Sequence, residues 1–358
     1  VSVPGTRNGA DRGAADGAPL IEVRDLQTRF HTARGAVRAV DGVSLRLERG
    51  RTLGIVGESG SGKTVLSRSI MGLLPRRGVE RTGSVRFRGN ELIGLGPAAM
   101  RPFWGTEMAM IFQDPMTSLN PVLTIGRQLT EHMRTHLGYS RVVADDAAEQ
   151  LLIAVGIPEP RRRLTEYPHQ LSGGMRQRVG IAIALACGPS LLFADEPTTA
   201  LDVTVQAQIL DLLGAQQRDR NMSVILVTHD LGVVAGRTDE IAVMYAGKVV
   251  EHAPTATLFA DMKMPYTEAL LRSIPKLEEP SHTRLVAIGG RPPDLVNPSP
   301  GCRFAPRCPY AQPRCHAEEP PLVEAGPGHR YACWYPVGSP VQVEIAARRA
   351  GDLAAAGG

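Results

Sequence analysis

The sequence contains no apolar run approaching the ~18 residues that a membrane-spanning helix needs, so the chain is not expected to cross a bilayer unaided. No apolar segment of the secretory kind follows the N-terminus, which favours a cytosolic compartment. Charge of one sign is also scarce. Forty cationic residues against 36 anionic ones leave a net charge of +4, too small an excess to imply nucleic-acid binding. Lysine is nearly absent: Lys63, Lys248, Lys263 and Lys276 are the only ones, the other cations being arginine. Genomic base composition accounts for that bias. No internal repeat is present, so the main unit occurs once. The remaining balance, 43% hydrophobic and 21% charged over 358 residues, excludes a wholly disordered chain and allows one large domain or two smaller ones.

Residues 1–18 are Gly, Ala, Arg and Asp with little apolar content and read as a disordered leader. Strand-like stretches follow at 20–23, 43–47 and 52–56. The last runs into a Gly-rich turn, after which Val65, Leu66, Ser69, Ile70, Leu73 and Leu74 recur at helical spacing up to Pro75. Residues 127–185 read as mostly helical, with breaks at Pro158 and Pro168. Buried-strand patterns return at 190–194 and 223–227, with a helical segment at 203–213 between them. Strands alternating with helices predict a mostly parallel α/β sheet. From about Met264 the texture changes. Prolines cluster and four cysteines appear, as expected of a separate small domain, and residues 341–358 read as a tail that frays.

The strongest motif is Gly57-Glu58-Ser59-Gly60-Ser61-Gly62-Lys63-Thr64. It lies between a predicted strand and a predicted helix, the context of a phosphate-binding P-loop. Glycines let successive N–H groups curl towards phosphate oxygens, and the helix N-terminus adds partial positive charge. Lys63 would reach the β- and γ-phosphates, and the Thr64 hydroxyl would ligate Mg²⁺. The second element is the apolar run from Leu191 to Ala194, which ends in Asp195-Glu196. A strand ending in two carboxylates delivers charge to the sheet edge where open α/β folds bind ligands. Asp195 would hold Mg²⁺ and Glu196 would polarise a water. Read alone, the pair could equally be solvated acids at a strand end.

The third element is Leu171-Ser172-Gly173-Gly174-Met175. With it the chain resembles the ABC ATPases, whose signature is L-S-G-G-Q; Met175 departs from that pattern. The phosphate loop, Gln113, the LSGG run, Asp195-Glu196, Ala200-Leu201-Asp202 and His229 follow in the family's order, and the resemblance covers about residues 20–260. It implies an α/β P-loop NTPase: a nucleotide-binding domain over 19–262, with a helical subdomain at about 114–185 that receives a membrane partner. It also implies ATP and Mg²⁺ as ligands. Ser172, Gly173 and Gly174 would bind the γ-phosphate held by a second ATPase subunit, identical or related, and Asp202 would cross that interface. Gln113 would touch Mg²⁺ or water, and His229 would face the γ-phosphate. Phe30 would stack on adenine, although it could equally pack in the core.

The last feature is Cys302-x5-Cys308-x6-Cys315-x17-Cys333. The compartment disfavours disulfides, and the short knuckle of structural zinc sites is missing. An iron–sulfur cluster accepts varied spacing. The segments 265–271 and 301–309 resemble the C-terminal extension of oligopeptide/dipeptide importer ATPases, some of which carry a [4Fe–4S] cluster. This resemblance assigns 263–340 to a cysteine-bearing extension. It leaves a cluster, zinc, or thiols without metal as alternatives. The partners it implies are two transmembrane permease subunits and an extracytoplasmic substrate-binding protein, with the chain on the cytoplasmic face of the membrane. Cys187 reads as a small buried apolar residue.

Overall fold

A computed structural model describes residues 18–114, 118–198, 202–273 and 288–356. The expected leader lies outside the described residues except for its last position, as do Pro115, Ala200 and Leu201. The chain opens with a hairpin, β1 (Ile21–Thr32) and β2 (Gly35–Leu47). It continues through β3 (Thr52–Val56) into a turn and helix α1 (Lys63–Ile70). β4 (Val79–Phe87) pairs antiparallel with β1, and β5 (Asn90–Glu91) follows, giving a four-stranded sheet in the order β2-β1-β4-β5.

The second sheet is larger. It takes β3, β6 (Met108–Ile111), β7 (Leu191–Asp195), β8 (Ser223–Thr228), β9 (Glu240–Tyr245), β10 (Lys248–Pro254), β11 (Val323–Gly326) and β12 (His329–Tyr331). Their order is β11-β12-β10-β9-β3-β8-β7-β6. From β9 to β6 the pairing is parallel, as predicted; β10, β12 and β11 join antiparallel. Every residue of β3, β7 and β8 is buried, because helices or a second sheet cover both faces. The period of two then divides the core. Ile225 and Val227 of β8 pack with Leu66 and Ile70 of α1 and with the small sheet, while Val224 and Leu226 face the other way.

On the opposite side, α2 (Ile125–Leu137), α3 (Arg141–Ala154) and α4 (Pro160–Leu164) pack on one another and on α5 (Gly173–Leu185), which lies against β6, and their apolar residues join one core with that face. Thr124, Ser140 and Ser172 cap α2, α3 and α5 by accepting from backbone N–H groups in the first turn. The long α6 (Val203–Arg220) lies between β7 and β8 in the chain.

Two expectations need correction. The small antiparallel sheet lies outside the expected parallel architecture. Its strands are half-exposed and shifted by bulges, and the turn at Ala33-Arg34 carries no Asn-Gly or Asp-Gly signal. Among the described residues the cysteine-bearing segment shares the main core rather than packing as a unit of its own. β12 pairs with β10, with Tyr331 opposite Glu251, so the segment extends the main sheet. The Glu251 carboxylate is fully buried, accepts from Lys263 N at 2.5 Å and Met264 N at 3.1 Å, and lies 2.9 Å from His329 Nε2. Phe304 joins the main core, its ring 5.3 Å from those of both Tyr245 and Tyr266. α7 (Pro265–Arg272) carries Tyr266, and residues Pro340–Ala356, expected to fray, form helix α8. Among the described residues no helix is long and apolar enough to cross a membrane.

Phe193 sits at the middle of β7 with 0% exposure. Phe193→Ala is expected to lower unfolding stability by about 3–5 kcal/mol, read as a shifted urea midpoint, through lost burial and an unfilled cavity.

Candidate functional site

The site gathers where the parallel strands end. Between β3 and α1 the backbone has little room. A Cβ at Gly57 would stand 2.1 Å from the Met244 carbonyl oxygen. Gly62 has φ +102°, and a Cβ there would meet the Ala39 carbonyl oxygen at 2.2 Å. Only glycine fits such positions. The turn is also pinned from outside: Gly247 N donates to Ser61 O at 2.8 Å. Ser59 and Gly60 are exposed at its crest.

Lys63, 5% exposed, folds back over this turn and donates from Nζ to Gly57 O at 2.6 Å and Glu58 O at 3.0 Å. Burial lowers its pKa, an effect the nearby Glu196, Asp195 and Glu58 carboxylates oppose. Thr64 Oγ1 donates to Asp195 Oδ1 at 3.0 Å, which joins the start of α1 to the end of β7. Asp195 is fully buried, and its second oxygen, Oδ2, has no hydrogen-bond partner. Burial raises the Asp195 pKa. The Ser61 hydroxyl is a second buried polar atom without a partner. A carboxylate oxygen and a hydroxyl of this kind, beside Thr64, suit a divalent cation and its phosphate.

The next residue, Glu196, has a left-handed backbone, φ +46°, and its N–H donates to Val227 O at 2.9 Å. Strain of this kind concentrates at working sites. Its carboxylate collects two of the expected residues. Gln113 Nε2 donates to Oε2 at 2.8 Å, and His229 Nδ1 lies 3.4 Å from Oε1. Gln113 and His229 are exposed while Glu196 is largely covered. The ends of β6, β7 and β8 therefore contribute one residue each to a single cluster.

Other expected residues are not part of that cluster. Ser172 and Gly173 are exposed at the start of α5, Gly174 is half-buried there, and Ser172 accepts from Met175 N at 3.3 Å. Asp202 is exposed and caps α6, accepting from Val205 N at 2.9 Å. Phe30 lies within β1, opposite Val37 and Val79, and is half-buried. Sequence reasoning missed Gln177, whose buried Nε2 donates to Pro197 O at 2.5 Å and so ties α5 to the chain just after Glu196. Gln177 lies one turn into α5 between Arg176 and Arg178, so nothing local in the sequence marks it as buried.

Cys302, Cys308, Cys315 and Cys333 line one small cavity with Met264, Phe304 and Trp334. Burial pushes the Cys302 thiol up and Cys333 to about 12, the neighbouring cysteines adding to the latter. Among the described residues no three His, Cys, Asp or Glu stand as a group able to hold a metal ion, so the expected metal site is not shown. Cys187 is half-buried, and burial raises its pKa to about 11, in keeping with an inert thiol.

Comparison with known proteins bears on this geometry. Residues 40–199 match the ABC transporter family, and residues 250–315 match the oligopeptide/dipeptide transporter C-terminal region. The chain is 49% identical to the oligopeptide transport ATP-binding protein OppD of Bacillus subtilis, the match covering 88% of each. The chain belongs to the ATP-binding subunits of peptide ABC transporters. It is thus an ABC-type ATPase. The dipeptide transport ATP-binding protein DppD of the same organism is 49% identical, with 94% of its length covered. A Mycobacterium tuberculosis OppD is 50% identical, and the chain spans 52% of that longer protein. Among solved structures, a post-hydrolysis dimer of the ATP-binding cassette MJ0796 with ADP and Pi matches with TM-score 0.60 and 26% identity. It covers 66% of this ABC ATPase and 98% of that chain.

The buried Asp195 charge should carry a desolvation penalty in nucleotide-free protein. Because burial raises its pKa, the penalty is full above that pKa and fades as the pH falls through it. Asp195→Asn is expected to raise the melting temperature of nucleotide-free protein by about 2–4 °C near neutral pH. The gain should shrink as the pH approaches the acid range. A lowered melting temperature would show that the carboxylate is already satisfied.

Proposed function

We propose that this ABC ATPase energises the import of oligopeptides or dipeptides by hydrolysing ATP at the cluster around Asp195 and Glu196. One observation carries the reading: Lys63, Thr64 and Asp195 stand joined beside a second group made of Gln113, Glu196 and His229. Phosphate capture needs the first set and water attack needs the second.

The loop 57–62 would wrap the phosphates with its N–H groups. Lys63 would exchange the carbonyls of Gly57 and Glu58 for phosphate oxygens. Thr64 and Asp195 would hold Mg²⁺, with Gln113 at its edge; the ion would neutralise charge on the phosphates. Glu196 would orient the attacking water, with His229 steadying charge at the γ-phosphate. Phe30 is assigned to adenine stacking. Ser172, Gly173 and Asp202 are exposed and Gly174 half-buried in the single chain, which suits contact of these residues with ATP held by a second subunit, identical or related. Closure of such a pair on ATP, and its opening after hydrolysis, would drive two membrane permease subunits fed by an extracytoplasmic binding protein. The chain would sit on the cytoplasmic face of the membrane, and nucleic acid has no part in this reading. The match of residues 250–315 to the peptide transporter C-terminal region favours an importer over an exporter or a non-transport ABC ATPase.

Lys63→Ala should abolish ATP turnover by the full chain. Glu196→Gln should still bind ATP, lose most hydrolysis and accumulate as a dimer on gel filtration with ATP. Normal phosphate release by either variant would remove that residue from the mechanism. In cells, the Lys63 variant should fail to support growth on peptides as sole amino-acid source.

Although among the described residues the four cysteines do not stand as a ready-made metal group, we assign them to a [4Fe–4S] cluster over zinc or thiols without metal. Support comes from their convergence on one apolar-lined cavity, and from spacings that lack the short zinc knuckle. Protein purified anaerobically should be brown, with iron and sulfide that are lost when Cys308 becomes Ser. Colourless protein holding one zinc would decide for the other metal.

A further inference from the structure

Glu58, the residue after the first glycine of the loop, is held at three points. Its N–H donates to Tyr266 Oη at 2.8 Å. Its carbonyl accepts from Lys63 Nζ at 3.0 Å. Its carboxylate accepts both arms of one guanidinium, Arg307 Nη1 to Oε2 at 2.6 Å and Nη2 to Oε1 at 2.9 Å. Tyr266 and Arg307 both belong to the C-terminal part of the chain, some 200 residues or more away, |i−j| being 208 and 249.

Arg307 is fixed before it reaches Glu58. Its side chain is only 3% exposed. Nε donates to Gly289 O at 2.8 Å, Nη2 also donates to Ile288 O at 3.0 Å, and Nη1 also reaches Tyr245 Oη at 3.3 Å. The guanidinium carbon stands 5.8 Å from the Tyr245 ring centroid. A planar fork held on this many sides has one orientation to offer a carboxylate. The turn that carries it is short and bracketed by cysteines. Ala305 N donates to Cys302 O at 3.0 Å and Cys308 N to Ala305 O at 3.2 Å. Arg303 in the same turn donates to the Ala246 carbonyl and to the Asp41 carboxylate. Ala246 precedes Gly247, whose N–H holds Ser61 O. The two arginines thus brace the loop from both ends, one through Glu58 and one through the 246–247 turn.

A glycine-rich loop left alone samples many shapes, and binding must then order it. An exposed ion pair would do little about that. A bidentate pair whose guanidinium is buried and pre-set, though its carboxylate is half-exposed, does more. We propose that Arg307 is a positioning residue of the ATP site: held by the cysteine-bearing turn, it fixes Glu58 and with it the curve of the phosphate loop. The C-terminal region is then a working part of the nucleotide site. This rests on the reading of residues 57–64 as the phosphate loop.

The test is calorimetric titration of the full-length chain with Mg²⁺ and a non-hydrolysable ATP analogue, with folding checked by circular dichroism. Arg307→Ala should raise Kd about tenfold, about 1.4 kcal/mol. Arg307→Lys should recover part of the loss, since it keeps the charge without the fork. Tyr266→Phe, which removes only the acceptor of the Glu58 N–H, should weaken binding about threefold. Glu58→Gln should weaken it as well. Because Arg307 and Glu58 act through one pair, the double variant should bind no worse than the weaker single. Arg291→Ala, at an exposed position of the same segment, should leave Kd unchanged. A folded Arg307→Ala chain that binds within twofold of wild type would overturn the proposal, as would fully additive losses. If Arg307→Ala does not fold, Glu58→Gln and Tyr266→Phe decide the matter by the same criterion. A wild-type chain that bound no nucleotide would sink the phosphate-loop reading itself.

Discussion

A carboxylate with no solvent exposure constrains this molecule more than any other single group. Asp195 ends a strand that is buried along its whole length, and one of its oxygens meets only the hydroxyl of Thr64. Keeping such a charge in a core is costly without a partner. Neighbouring strands share the support: β6 and β8 flank β7, and each brings one further polar residue to the adjacent Glu196. Both faces of the parallel sheet are packed, and that packing sets where these strand ends stand relative to one another.

Around that fixed centre the chain has two kinds of attachment. One points outward: the starts of α5 and α6 are capped and exposed, and α5 is tied to the chain after β7 through Gln177 and Pro197. A side-chain cap satisfies one N–H of a helix start, and the others keep the partial positive charge that suits an anion. The other attachment points inward. The cysteine-bearing segment adds strands to the sheet, lends Phe304 to the core and sets two arginines against the phosphate-type turn. The same fold therefore leaves the α5 and α6 starts exposed in the single chain and closes the other side of the loop with its own C-terminal region.

Much of the centre was legible in the residues. The run at 52–56 coincides with β3, and the stretches at 190–194 and 223–227 fall within one residue of β7 and β8. Continuous apolar strands and a glycine-rich turn are strong local signals. The small sheet was legible only in part: the stretches at 20–23 and 43–47 fall at the start of β1 and the end of β2, whereas the bulged outer halves of that hairpin and all of β4 carry no clean alternation. Phe30 was placed after a strand and instead lies inside one. The hairpin of β11 and β12 was hidden for a similar reason: its strands of four and three residues take their stability from β10 rather than from their own pattern.

The sequence by itself determined the class of chemistry. Only glycine tolerates the crowded backbone of the loop, only a lysine at its end reaches back over it, and motif order named the family. Tertiary structure alone decided which distant residues meet. That Gln113 and His229 share one carboxylate, that Gln177 reaches Pro197, and that Arg307 grips Glu58 depend on how sheet edges and turns are brought together. Such pairings carry no local signature, because a side chain's partner across the fold is set by the packing of whole elements and not by its neighbours in the chain.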